Sequence, residues 1–426
     1  MPTTIPDPHR PLPPFERPDE VLHRRNRQAG TALKAALALL GIAVVAGCAG
    51  GAGSSLTPGG ALRGSTNIAR ALPAVSPTPA PADQQACAPP KPGQAACQVQ
   101  KNPKKPPTAT PDGGLTPAQL RSAYGLGAAP TTIGTHTVAI VDAFEDANAE
   151  ADLAKYRAQF GLPACTTKNG CFTKVMMPGA KVPPGPPNSD FAVARTTWED
   201  EIALDLAMAS ASCPNCKLLL VEAGGQDLDS LAAAVVKAAS YHPAAISNSW
   251  GVPENDADGI DAAARAAFDQ PGIAITASTG DSGWVQFPAS SPYVTAVGGT
   301  SLSAASDRRG WSESAWYNSG NGCSTIFAAP SWQGRDTGCY GGARAVPDVE
   351  MLADYNPGVA VFVAADHGWE VLGGTSLGAP FVAGLYAAAN DYGSTTTGAP
   401  ALYANANALN DVSGSRVGSP NGLIGF

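Results

Sequence analysis

The chain has 426 residues, 44% hydrophobic and 15% charged, with a net charge of −8 at pH 7. That is ample material for a buried core, and the acidic balance argues against nucleic acid as a partner. Nine cysteines include eight that fall into neighbouring pairs, Cys87/Cys97, Cys165/Cys171, Cys213/Cys216 and Cys323/Cys339, with Cys48 left over. Such pairing points to disulfides and an oxidising compartment, and Cys213-Pro-Asn-Cys216 is read as a structural bridge rather than a redox motif.

Residues 1–30 are polar and proline-rich and end in a basic run. Residues 31–48 form an apolar segment ending Val45-Ala-Gly-Cys48, which resembles a lipoprotein cleavage box with Cys48 as the lipidated residue. That implies export to the outer face of the cell membrane, with a lipid anchor or the signal segment as membrane contact; a cleaved signal and secretion, or a spanning anchor, are the alternatives. Residues 49–113 are rich in Pro, Gly and Ala and are expected to form an extended tether, with Cys87 and Cys97 closing a small loop.

From residue 114 to 426 the composition becomes that of one folded domain. The pattern predicts helices over Thr116–Tyr124, Ala147–Phe160, Trp198–Ala211, Leu228–Ser240 and Asp256–Phe268. Apolar runs predict strands over Thr137–Asp142, Lys217–Ala223, Ala244–Gly251 (with a turn) and Gly272–Gly283 (ending in a tight loop). Alternation of helices with wholly apolar strands predicts an α/β fold with a mainly parallel central sheet and helices on both faces. Functional residues are then expected at the carboxyl ends of strands.

Gly373–Pro380 reads G-G-T-S-L-G-A-P and runs into an apolar helix. This places Ser376 at a helix mouth, where backbone N–H groups and the helix field favour an oxyanion. A glycine-rich turn with a capping serine is the plainer reading. Gly298–Leu302 repeats G-G-T-S-L without the proline or the helix, so Ser301 is expected to be a turn residue at a strand end.

A serine hydroxyl needs a base. Of five histidines, His9 and His23 lie in the N-terminal region, and His136, His242 and His367 have no setting suited to activating a serine. Glu201 and Asp205 are four residues apart on one helix face, beside the apolar Ile202, Leu204 and Met208. Close carboxylates share a proton, so Glu201 can serve as general base with Asp205 as its partner. Spacing alone fits a solvated acidic face equally well, since Glu199 and Asp200 lie there too. Asp281, in T-G-D-S-G, would donate to an oxyanion when protonated, or is simply a turn aspartate.

In order, E-x-x-x-D-L, Ser247–Glu254 (S-N-S-W-G-V-P-E), S-T-G-D-S-G and G-T-S-x-x-x-P resemble the motifs of the sedolisin family of serine-carboxyl peptidases, over about residues 114–415. Connecting phrases such as V-A-I-V-D-A resemble secreted actinobacterial members. The resemblance implies a subtilisin-like three-layer fold and a monomeric endopeptidase acting on protein or peptide with an acid optimum. Ser376 matches the nucleophile, Glu201 the base, Asp205 the second acid and Asp281 the oxyanion-hole acid. Ser247, Ser249, Trp250 and Gly251 match the stretch lining the substrate cleft. Asp142 stands where subtilisins keep an aspartate and is read as structural. No cofactor is implied for the chemistry. Asp411 and Val412 match the start of a calcium loop whose later ligands do not follow here. A catalytically weak surface lipoprotein acting as a binding module is the alternative, and a subtilisin-like enzyme with an unconventional histidine is a further one.

Overall fold

A computed structural model describes residues 87, 90–130, 134–180, 190–254, 260–334, 338–389, 398–410 and 412, with residues 190–197 described by their backbone. The apolar leader, Cys48 and Asp411 lie outside these residues.

The strands in chain order are β1 (Ala96–Cys97), β2 (Gln100–Lys101), β3 (Thr137–Ala143), β4 (Phe172–Met176), β5 (Lys217–Ala223), β6 (Ala245–Asn248), β7 (Trp250–Pro253), β8 (Ala274–Ser278), β9 (Gln286–Phe287), β10 (Thr295–Ala304), β11 (Trp311–Ala315), β12 (Gly322–Ala328), β13 (Ala343–Val346), β14 (Val349–Leu352), β15 (Val359–Val363) and β16 (Gly368–Gly373). The helices that frame the sheet are α1 (Pro117–Ala123), α2 (Ala149–Gln159), α3 (Asp190–Ser212), α4 (Leu228–Ala239), α5 (Ala262–Ala266) and α6 (Gly378–Ala389). α1 starts as a capping box should: Thr116 accepts from the Gln119 N–H while the Gln119 side chain accepts from the Thr116 N–H.

An eight-stranded sheet runs β11-β10-β8-β6-β3-β5-β4, with β14 also paired to β10. Every pair in it is parallel except β10–β11. Its central strands are buried along nearly their whole length, as β3 (TVAIVDA) and β5 (KLLLVEA) read. α3 and α6 pack against each other, α3 also over β3 and α6 over β6, β8 and β10, while α4 meets α5 and covers β3 and β5. This is the expected α/β architecture, and it sets the carboxyl ends of β3, β6 and β8 at one edge.

Three local expectations are corrected. Ser301 is not at a strand end: it lies inside β10, pairs with Ser314 and donates to Asp354 Oδ2 at 2.7 Å. The Ala244–Gly251 run is two strands in different sheets, β6 and β7, with Ser249 between them. The helix expected over Asp256–Phe268 is confined, among the described residues, to α5, capped by Asp261.

Residues 90–113, read from composition as part of an extended tether, pack onto the domain instead. β1 pairs antiparallel with β7 (Ala96 with Gly251, Cys97 with Trp250) and β2 with β16 (Gln100 with Gly373, Lys101 with Leu372). A short segment gains this order by completing sheet edges rather than by burying a core of its own. The expected disulfides Cys87–Cys97, Cys165–Cys171, Cys213–Cys216 and Cys323–Cys339 are all formed.

β7 is fixed from behind by Trp250, whose indole is fully buried and donates to the Val141 carbonyl at 2.9 Å. Trp250→Phe leaves that carbonyl unpaired and a void beside it, so urea unfolding should show a loss of about 1–3 kcal/mol.

Candidate active site

The β16 strand ends at Gly373, and Gly374 turns the chain with φ 95°, a left-handed conformation that suits glycine. Thr375–Leu377 form a single 3-10 turn, and α6 follows at Gly378. Ser376 thus sits at the helix mouth as its sequence context indicates, fully buried. Its hydroxyl donates to the Ser249 carbonyl at 3.4 Å, and the Ser249 hydroxyl donates to the Ser376 carbonyl, also at 3.4 Å.

Four carboxylates gather around this turn. Glu201 and Asp205 project from α3 and are wholly buried, so the solvated-face reading of that helix does not hold; Glu199 and Asp200 are buried as well. Burial raises the Glu201 pKa well above the ordinary carboxyl value; the Asp142 charge adds to this, while the Ser376 hydroxyl beside it acts in the opposite direction. Asp205 is likewise held well above the ordinary range, by burial first and then by the charges of Asp142 and Glu201.

Asp142, read from sequence as structural, belongs to this group. It lies in β3, fully buried and in register with Glu222 of β5, and burial followed by the Glu222 charge pushes it to about 8. The missed signal was its position at the carboxyl end of a central parallel strand.

Asp281 lies in the loop after β8. Its Oδ1 accepts from the Thr375 N–H at 2.9 Å and from the Thr375 hydroxyl at 2.8 Å. Thr375 Oγ1 accepts in turn from the Gly280 N–H at 3.1 Å, so the aspartate is tied to the turn carrying Ser376. Burial raises its pKa to about 7, against the opposing effect of the Thr375 hydrogen bonds. A carboxyl held protonated in this way offers an O–H donor beside the serine turn.

The expected cleft residues divide. Ser247 is buried within β6, upstream of the turn. Ser249 faces the Ser376 turn, and Gly251 offers its backbone to β1. Trp250 contributes backbone only, since its side chain points into the core. His242 and His367 are exposed, at turns with φ of 51° and 63°, and His136 is half-buried at the start of β3, so the buried serine turn is lined by acids. Of the expected calcium ligands, Val412 is buried. Among the described residues no group of three or more His, Cys, Asp or Glu side chains is arranged to hold a metal ion.

The segment carrying β1 and β2 crosses this site. The Gln98 N–H donates to Glu201 Oε2 at 2.7 Å and lies 3.3 Å from the Ser249 carbonyl. Upstream, the Ala95 N–H donates to the Gln226 carbonyl at 2.8 Å. Downstream, Lys101 pairs with Asp200 at 2.9 Å and with Asp366.

No protein-family model matches the chain. It is 35% identical over 271 residues to kumamolisin of Bacillus sp. (strain MN-32), covering 57% of this chain and 46% of the relative. It is 25% identical over 309 residues to sedolisin of Pseudomonas sp. (strain 101), covering 64% of this chain and 50% of that one. The chain thus spans about half the length of these curated relatives. Among solved structures, Pseudomonas sedolisin, a serine-carboxyl proteinase complexed with two molecules of pseudo-iodotyrostatin, matches with a TM-score of 0.58 and 26% identity. That match covers 72% of this chain and 89% of the other.

The carboxyl burial has a thermodynamic consequence. Asp142 and Glu350 are raised to about 8, and Asp281 and Glu222 to about 7, each chiefly by burial. A folded pKa above the unfolded value near ~4 gives stability that is full below that value and lost as pH climbs through the folded one. Each group then loses up to roughly 1.4 kcal/mol per pH unit in that window. Calorimetric Tm should therefore be higher between pH 4 and 5 than at pH 8.

Proposed function

Because the chain belongs to the sedolisin family, with a subtilisin-like fold, we propose that it is a serine-carboxyl endopeptidase whose nucleophile is Ser376. In this reading the Ser376 Oγ attacks the carbonyl carbon of a peptide bond and its proton passes to Glu201. Asp205 shares the proton load of the pair, and Asp281, protonated, donates to the oxyanion. The C–N bond then breaks, Glu201 returns the proton to the leaving amine, and an acyl-enzyme forms on Ser376. Water hydrolyses that ester, with Glu201 again taking and giving the proton, which frees the acid product and the serine.

The observation that carries this is the convergence of a buried serine at a helix mouth with Glu201 beside it and Asp281 bonded to its turn. No histidine or cofactor is required by the scheme. An acid optimum follows, since Asp281 donates only while protonated and its pKa is about 7.

Protein or peptide is the proposed substrate, with the chain monomeric and exported. Export on a lipid anchor at Cys48 rests on the resemblance of Val45–Cys48 to a lipoprotein box. Mass spectrometry of the mature N-terminus decides between a lipidated cysteine and a cleaved signal.

Glu201→Gln should lower kcat about 10²–10⁴-fold, and Asp281→Ala about 10²–10³-fold, in hydrolysis of a denatured protein substrate at pH 4. Wild-type turnover should fall as pH rises through about 7. Unchanged activity in the Glu201 variant, or turnover that keeps rising above neutrality, rules out this assignment.

A second reading is favoured by the segment lying across the cleft: a peptidase-fold binding module with little turnover. Labelling of Ser376 by a covalent serine-directed probe in acid separates the two, since a binding module leaves the serine unreactive.

A further inference from the structure

The segment Ala95–Lys101 lies between the strands of the cleft as an internal peptide, and the buried side chain of Gln98 shows what the neighbouring pocket holds. We propose, building on the peptidase reading above, that the pocket receiving the side chain just before the scissile bond selects a carboxamide, with Gln286 as its specificity residue.

Register identifies the position. Ala96 pairs with Gly251 and Cys97 with Trp250 on one side of Ser376, while Gln100 pairs with Gly373 on the other. Between them, the Gln98 N–H faces the Ser249 carbonyl, and the Gln98 carbonyl approaches the Gly374 turn so closely that a Cβ there would stand 2.0 Å from it. The same Cβ would stand 2.7 Å from Asp281 Oδ2, which puts that carbonyl beside the oxyanion-hole acid. Gln98–Val99 is therefore the bond presented to Ser376.

The Gln98 side chain is matched at both ends. Its Oε1 accepts from the Asp281 N–H at 3.1 Å, and its Nε2 donates to Gln286 Oε1 at 2.8 Å and to the Ala96 carbonyl at 3.3 Å. Both glutamines are about 5% exposed. Gln286 is itself held: Nε2 donates to Ser282 Oγ at 3.3 Å, and the amide is wedged between Gly251 and Gly280, whose absent Cβ atoms would lie 2.2 Å and 2.5 Å from it. One backbone donor and one amide acceptor, both fixed and nearly dry, complement a primary carboxamide. A leucine or tyrosine there strands both groups, and an ionised glutamate sets a negative oxygen against Gln286 Oε1. Protonated glutamate restores the donor, so glutamate should be tolerated only in acid.

Beyond Gln286, Pro253 at the end of β7 and the residues just before β9, Trp284 and Val285, border a cavity of about 550 Å³, the obvious competing receptor for a large apolar side chain.

The test has a chemical arm and a physical arm. In the chemical arm, full-length protein is acidified and its fragments identified by mass spectrometry, alongside hydrolysis of peptides with the 95–101 sequence bearing Gln, Glu, Leu or Tyr at the position of Gln98. Cleavage after Gln should exceed that after Leu or Tyr by at least about tenfold. The Gln-to-Glu ratio should grow between pH 3.5 and 6, and Gln286→Met should abolish the preference for Gln over Leu. Preference for Leu or Tyr in wild type, or a Gln preference that survives Gln286→Met, overturns the proposal.

The physical arm needs no turnover. In the Ser376→Ala protein, hydrogen exchange of the backbone N–H at position 98 should speed at least about tenfold with Gln98→Leu or Gln286→Met; rates within about twofold of the parent overturn the carboxamide pocket. Loss of all hydrolysis while exchange still responds would count against the peptidase reading and leave the pocket standing.

Discussion

The constraint on which the rest depends is the burial of acid groups without cations beside Ser376. Two buried acids elsewhere have cations: Asp348 meets Arg344 within hydrogen-bonding distance, 2.7 Å for one of the two contacts, and Asp200 meets Lys101. Among the described residues, no ion pair joins Asp142, Glu201, Asp205 or Asp281 to a base. Isolated charges in such a place are costly, so the groups keep protons instead. A carboxylate that must retain or share its proton has a basicity raised toward what a serine hydroxyl needs, which is the role imidazole fills at neutral pH.

The fold makes this arrangement possible at small expense elsewhere. Parallel strands deliver Asp142 and Asp281 to one edge, α3 supplies Glu201 and Asp205 four residues apart, and the hairpin β15–β16 brings Ser376 in from the other side. The segment containing Gln98 closes the remaining opening. Its amide gives Glu201 a donor and its strands complete the edges of β7 and β16, so site and covering peptide stabilise each other.

Much of this was legible in the sequence. The runs T-V-A-I-V-D and K-L-L-L-V-E-A form strands where their apolarity indicates, and G-T-S-x-x-x-P forms the turn-to-helix entry it spells. For Asp142 the strand-end position was legible, but its closeness to an α3 some sixty residues distant in sequence was not. Nor did composition reveal that residues 95–101 are ordered. Proline-rich flanks read as a tether, whereas two-residue strands borrow their stability from partners more than 150 residues away. The buried indole of Trp250 illustrates the same limit: a motif fixes a residue's identity and leaves its facing to the pleat.

The most direct measurement is infrared spectroscopy of the carboxyl C=O stretch in the Ser376→Ala protein between pH 3 and 9. The account predicts protonated-carboxyl bands that persist well above pH 5 and diminish when Glu201 or Asp281 is replaced by its amide. Carboxyl bands that vanish completely below pH 5, as for solvated acids, would contradict it.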